Sequence, residues 1–129
     1  MSKLETPLTR KFWDEIGGTL IEEFRLTSRN ENHAQRLADG LIILGGQKII
    51  SKERNISIEN KDVIVIQTKC DRLGMYLCGQ ALFSKMIIEK FHKPKSVKSV
   101  IICTQGDDIM EELLKKFDIK IRIYEQKKL

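Results

Sequence analysis

The chain has 129 residues and a formal charge of +5 at neutral pH, with 41% hydrophobic and 32% charged residues. This composition excludes an intrinsically disordered chain, and no apolar run reaches the roughly 18 residues that a membrane helix needs. Because the first residues also contain no apolar signal-peptide segment, the sequence predicts a cytoplasmic globular protein without a membrane partner.

The length predicts a single domain that spans residues 1–129. The three cysteines are odd in number and form no CxxC pair, which argues against a disulfide framework and against a structural zinc site. Lysine and arginine are spread along the chain rather than gathered in a tail, so the positive charge favours a nucleic-acid partner only weakly.

Glycine, proline and polar turns divide the hydrophobic pattern into helices and strands. In chain order, the predicted elements are a helix over 8–16, strands over 19–27, 38–44 and 62–68, a helix over 73–92, a strand over 97–103, a helix over 107–117 with Asp107 as its N-cap, and a strand over 119–124. The mixed segment 48–58 leaves room for a short outer strand.

The first three predicted strands follow one another without a helix between them and can form an antiparallel meander. Each later strand follows a helix, so it can join the sheet as a parallel crossover. The sequence therefore predicts an α/β fold, a three-layer α-β-α sandwich with a mixed central sheet.

Polar residues interrupt the two most apolar strands near one end of their predicted pairing. If Leu44 lies opposite Asp62 in an antiparallel ladder, then Asp39 lies opposite Gln67, and side-chain alternation puts Gln67 and Lys69 on one side. Such a set suits metal-dependent phosphodiester hydrolysis. The acid and the amide oxygen can hold Mg²⁺ or Mn²⁺, and the ammonium group can orient water or stabilise charge on the phosphate.

The segments ADGLII and VIVIQTK resemble the D…(D/E)-x-K signature of the PD-(D/E)XK nuclease superfamily. Gln67 stands at the usual acidic position, as in the D…Q-x-K version of Mrr-type members. Over about residues 8–103, this resemblance implies a restriction-endonuclease-like core of the order αβββαβ, followed here by a further helix and strand. It also implies a metal-dependent DNA endonuclease with Asp39, Gln67 and Lys69 as its catalytic residues.

A further carboxylate is expected at the metal, because Gln67 removes one negative charge. Strand alternation puts Glu22 on the more apolar face of its strand, which favours it as a ligand ahead of Glu23, although a bulge would exchange the two. In related nucleases this acid often comes from the first helix, which here offers Asp14 and Glu15.

The long helix after Lys69 carries a polar stripe of Tyr76, Gln80 and Ser84 at a spacing of four residues. This stripe either faces the metal or a phosphate, or it is the solvent face of an amphipathic helix. Arg36 and Arg72 flank the motif as candidate phosphate clamps or as ordinary surface charges.

Two other functions remain open at this point. Because Gln67 weakens the motif, the chain is alternatively a catalytically inactive, nuclease-like module that binds nucleic acid or protein. RNA also stays open as a ligand, although the aromatic content is only 6%. The long helix carries more apolar residues than one face needs, so some of them can form a homodimer interface. A two-fold homodimer would cut both DNA strands more easily than one copy.

Overall fold

Five strands form one mixed sheet and lie side by side in the order in which they occur in the chain. The structure is a computed structural model that describes residues 2–126. Its strands are β1 (Thr19–Thr27), β2 (Arg36–Ile43), β3 (Asp62–Arg72), β4 (Ser96–Gln105) and β5 (Ile119–Ile123). Its helices are α1 (Glu5–Ile16), α2 (Met75–Phe91) and α3 (Asp108–Leu114), and α3 continues into a 3₁₀ turn, Lys115–Phe117.

The strand directions follow from whether a helix lies between successive strands. β1, β2 and β3 pair antiparallel through links that contain no helix, whereas β3–β4 and β4–β5 pair parallel because α2 and α3 carry the chain back to the same end of the sheet. The predicted meander with two parallel crossovers is therefore confirmed, and so is Asp107 as the N-cap of α3, since its carboxylate accepts a hydrogen bond from the Met110 N–H.

Helices cover both faces of the sheet, which confirms the predicted three layers. On the α1 face, Phe12 belongs to one buried cluster with alternate strand residues, among them Leu20, Ile42, Ile64, Ile66, Val100 and Ile102. On the opposite face, α2 and α3 pack against the other set, which includes Ile21, Leu41, Val63, Val65, Ile101 and Cys103. β3 and β4 are buried on both faces, which explains their continuous apolar runs.

Several predicted boundaries are wrong by a few residues. α1 begins at Glu5, so Pro7 lies in its first turn. Backbone N–H groups in a first turn have no intrahelical acceptor, so proline costs no hydrogen bond there. β3 continues to Arg72, past the predicted end at Thr68. In the described chain, segment 48–58 contains no strand; it makes one isolated bridge, from Ile50 to Leu20.

The predicted face of Glu22 within β1 is partly wrong. Phe24 packs in the same cluster as Ile21 rather than with Leu20, so the alternation of side chains reverses between these positions. The reversal falls at Glu23, whose φ is +52°. Glu22 therefore stays on the α1 face, whereas the apolar residues that follow it turn to the α2 face.

The described cysteines are free thiols, as predicted, and two of them are buried in the cluster beneath α2 and α3. Within residues 2–126, no helix has both the length and the apolar character needed to cross a membrane.

A buried pair of hydroxyl groups fastens α1 to the centre of the sheet. The Oγ1 atoms of Thr9 and Thr68 lie 2.8 Å apart, and both side chains are buried. Close approach is possible because β2 has Gly40 beneath the helix: a Cβ atom there would lie 3.1 Å from Thr9 Cγ2. This contact sets the position of the first turn of α1 over the end of β3.

The variant Thr9→Val leaves the buried Thr68 hydroxyl without its partner, so we expect the free energy of unfolding to fall by about 1–3 kcal/mol. The double variant Thr9→Val/Thr68→Val removes both polar groups and should recover much of that loss. Urea unfolding followed by circular dichroism measures both changes. A double variant no more stable than Thr9→Val alone would contradict this account of the contact.

Candidate functional site

The ladder between β2 and β3 stops at the pair Gly40–Ile66. The observed register, with Ile43 opposite Val63 and the Leu44 N–H donating to the Asp62 carbonyl oxygen, is the one that the sequence predicted. Asp39 is the first β2 residue beyond the ladder, and there the two strands separate.

The Asp39 carboxylate bridges this opening. Its Oδ2 atom accepts a hydrogen bond of 2.7 Å from the backbone N–H of Thr68. Burial raises the pKa of Asp39; the Thr68 N–H opposes that rise, while the negative charges of Glu5 and Glu23 add to it. The carboxylate is thus held in place but poorly solvated, a state that favours binding of a cation.

A cavity of about 360 Å³ surrounds the Asp39 carboxylate at this end of the sheet. The first turn of α1, the end of β3 and the first turns of α2 form its walls. The lining residues are Glu5, Asp39, Thr68, Lys69, Asp71, Arg72, Gly74, Tyr76, Leu77 and Gln80. The structure therefore brings together two of the predicted catalytic residues, Asp39 and Lys69.

Gln67 lies apart from this cavity, although the register predicts it opposite Asp39. Its side chain is only 4% exposed and turns towards α2, where Nε2 donates a hydrogen bond of 2.7 Å to the Ser84 hydroxyl. It lines a second, neighbouring groove instead. Of the predicted polar stripe of α2, Ser84 faces the sheet and holds the Gln67 amide, whereas Tyr76 and Gln80 are exposed.

The candidates for an additional carboxylate lie elsewhere. Glu22 forms a bidentate ion pair with Arg10 of α1, and Glu23 forms an ion pair with Arg54 at 2.9 Å. Each of the two predicted α1 acids pairs with a basic residue away from the cavity: Asp14 with Lys48 and Glu15 with Arg122. None of these four acids lines the cavity of Asp39.

Two carboxylates at the cavity were missed by sequence reasoning, Glu5 and Asp71. Glu5 comes from the first helix, as the nuclease resemblance implies for the extra acid, but the predicted helix began too late to include it. Pro7 was the available signal, because the first turn of a helix tolerates proline and the helix can therefore begin before Pro7. Asp71 was missed because β3 was predicted to end at Thr68.

The predicted nucleic-acid contacts lie around both openings. Arg72 lines the cavity, Arg36 lines the neighbouring groove, and Tyr76 and Gln80 line both. Arg36 is exposed, and its guanidinium donates to the Ala34 carbonyl oxygen at 3.3 Å. Tyr76 and Gln80 therefore lie between the two openings.

The donors at the cavity suit a hard divalent cation better than zinc. Within residues 2–126, no group of three or more His, Cys, Asp and Glu side chains is arranged to hold a metal ion. Asp39 and Glu5 do share the cavity, and Mg²⁺ is often held by one or two carboxylates with water and substrate oxygens completing its shell. The residues present therefore fit Mg²⁺ or Mn²⁺.

This chain is similar in fold to a repair endonuclease. One matching crystal structure is that of a repair endonuclease from Pyrococcus abyssi, with a TM-score of 0.58 and 15% sequence identity. The match covers 97% of this chain and 47% of that chain, so this chain spans about half the length of that protein. The likeness concerns the fold and confirms the predicted α/β class. No protein-family model and no curated protein matches the sequence.

The raised pKa of Asp39 predicts that its charge destabilises the metal-free protein at neutral pH. A carboxyl group whose pKa is raised by folding stabilises the folded state when protonated, and this contribution is lost as the pH rises through the raised value. Asp39→Asn keeps an acceptor for the Thr68 N–H without the charge. We expect a higher Tm than wild type near pH 7, and a difference that shrinks as the pH falls.

Thermal unfolding between about pH 4 and pH 8, in EDTA, measures this effect. Glu22→Gln is the control, because Glu22 is paired with Arg10 outside the cavity. Asp39→Asn being less stable than wild type at neutral pH would contradict the inferred cost of the buried charge.

Proposed function

We propose that this chain is a metal-dependent DNA endonuclease that hydrolyses a phosphodiester bond at the Asp39 cavity. The observation that carries this proposal is the poorly solvated Asp39 carboxylate, which shares one cavity with the Glu5 carboxylate and the Lys69 ammonium group. The similarity in fold to a repair endonuclease supports it, because the cavity lies where β2 and β3 separate in a nuclease-like sheet.

The charges at the cavity suit a cation and a phosphate together. Three carboxylates and two cationic side chains line it, a formal charge of minus one, so one divalent cation would make it plus one. A phosphodiester group carries a single negative charge and complements that state. When bound, Mg²⁺ or Mn²⁺ would lower the pKa of an attacking water and neutralise charge on the phosphate.

The protein side chains have separate parts in this reaction. Asp39 and Glu5 would hold the metal, with Asp39 fixed by the Thr68 N–H. Lys69 is exposed at the cavity, so its ammonium group can donate to the attacking water or to a phosphate oxygen. Arg72 would hold a neighbouring phosphate of the same strand.

DNA is the proposed substrate because the chain is basic overall and cationic side chains line both openings. RNA remains an alternative substrate for the same site. A homodimer and a cytoplasmic location stay predictions, as does the role of Gln67. We propose that Gln67 acts through Ser84, by holding α2 against the end of β3, rather than as a metal ligand.

Substitution of either central residue tests the nuclease function. Asp39→Ala removes the metal anchor and Lys69→Ala removes the ammonium group, so we expect each to lower cleavage by on the order of 10²-fold or more. Lys120→Ala is the matched control, since Lys120 is exposed on β5 and lines neither opening. The measurement is cleavage of a labelled oligonucleotide in Mg²⁺, in Mn²⁺ and in EDTA.

Cleavage that continues in EDTA, or that survives both substitutions in a folded protein, would refute the proposed site. Circular dichroism of each variant separates loss of chemistry from loss of fold.

A second candidate function is a nuclease-like module that binds DNA without cutting it. It is favoured by the Gln67 amide, which is bound to Ser84 where the resemblance implies an acidic metal ligand. This function predicts salt-dependent DNA binding with no turnover in any divalent metal. It also predicts that Gln67→Glu gains affinity for Mn²⁺, because a carboxylate is returned to the motif.

Titration calorimetry with Mn²⁺ compares Gln67→Glu with Ser84→Ala, which breaks the same hydrogen bond without adding a charge. Equal Mn²⁺ affinity in the two variants would show that the missing acid at this position does not limit metal binding. Metal-dependent cleavage by the wild-type protein would rule out the binding-only function.

A further inference from the structure

A large groove runs along α2 beside the proposed cleavage cavity. It has a volume of about 920 Å³ and lies between α2 and the adjoining ends of β1 and β2. Its lining residues are Leu26, Thr27, His33, Arg36, Leu37, Gln67, Met75, Tyr76, Gly79, Gln80, Phe83, Ser84, Ile87 and Phe91. Tyr76 and Gln80 also line the Asp39 cavity, so the two openings adjoin along α2.

Aromatic rings in this groove are exposed rather than packed in the core. The exposed fractions are 82% for Tyr76, 60% for Phe83 and 59% for Phe91. Rings of this kind, presented to solvent beside a polar cleft, are suited to stacking against another flat ring. Each base stacked on an aromatic side chain typically strengthens single-strand binding by roughly 5- to 150-fold.

The charge of the groove suits an anionic polymer. No carboxylate stands among the described residues that line it, whereas the cationic Arg36 does. The exposed amide of Gln80 adds a polar group next to the rings, of the kind that hydrogen-bonds the edge of a base. A strand whose phosphate occupies the Asp39 cavity would pass Tyr76 first and then reach this groove.

We propose that the groove binds an unpaired nucleobase of the DNA strand whose phosphodiester lies at the Asp39 cavity. This inference rests on the proposed function and names its substrate class: DNA with an unpaired nucleotide next to the cleaved bond. A base within an intact duplex is stacked on both sides and cannot reach the rings of α2 unless it is extruded. Extrusion is least costly for a base that is already unpaired, so the groove selects such DNA.

Gly79 gives a way to close the groove without disturbing the fold. It lies in α2 between Tyr76 and Phe83, and a Cβ atom built on it would have no heavy atom within 4 Å. Gly79→Ala adds one methyl group and also favours the helix. Gly79→Phe places a ring in the space that the base would occupy, so the two variants form a graded pair.

The test is a binding measurement in EDTA, which is independent of cleavage. Fluorescence anisotropy compares a duplex with one unpaired nucleotide against the fully paired duplex of the same sequence. We expect the wild-type protein to prefer the first by roughly 5- to 150-fold. Tyr76→Ala, Phe83→Ala and Gly79→Phe should lose most of that preference, and Gly79→Ala should lose less.

Phe117→Ala is the control, because Phe117 is an exposed aromatic residue outside both openings. A 2-aminopurine placed at the unpaired position reports stacking directly, since its fluorescence falls when it stacks on an aromatic ring. That quenching should disappear in the Phe83→Ala and Gly79→Phe variants and persist in the control.

Equal binding of the two DNAs by the wild-type protein, or an unchanged preference in Gly79→Phe, would overturn this inference. Sedimentation tests the other occupant, a second copy of the chain. Dissociation of a dimer by Gly79→Phe, with DNA preference unaltered, would assign the groove to self-association and also overturn the inference. Preferential binding without any metal-dependent cleavage would refute the nuclease function while leaving the base-binding groove intact.

Discussion

The hydrogen bond from the Thr68 N–H to the Asp39 carboxylate is the contact on which the site depends. Where the β2–β3 ladder ends, the next backbone donor of β3 would otherwise face an opening in the sheet. A buried donor without a partner is costly, so an acid at this position both satisfies the backbone and allows the strands to part. The cavity and its carboxylate therefore have the same structural origin.

This arrangement holds a negative charge where water is scarce. Burial and the neighbouring Glu5 both raise the pKa of Asp39, so the metal-free fold carries an unfavourable interaction at its centre. Lys69 and Arg72 at the same cavity supply positive charge, and a divalent cation would supply more. An unbalanced charge of this kind favours binding of a ligand of opposite charge. Binding sites commonly reduce the stability of the ligand-free protein in this way.

The helices on the two faces position different parts of the site. The Thr9–Thr68 contact, made close by Gly40, sets α1 so that Glu5 reaches the cavity. On the other face, the Gln67–Ser84 bond holds α2, whose first turns separate the acidic cavity from the apolar groove. The two openings thus share a wall that is anchored to the same strand, β3.

Much of the fold was readable from local patterns. Apolar runs and turn residues predicted the strands and their directions, because period and chain connectivity are local properties. The assumed pairing of Leu44 with Asp62 gave the register of β2 against β3. Asp39 and Lys69 were found in this way, since strand register and alternation alone predict that they emerge at the same end.

The tertiary structure decided the rest. The reversal of β1 at Glu23 depends on how two strands bend together, and the place of Glu5 depends on how closely α1 packs on Gly40. The orientation of Gln67 depends on a hydroxyl of α2, a partner 17 residues away that no strand pattern indicates. These features arise from packing between elements, whereas periodicity describes only the elements themselves.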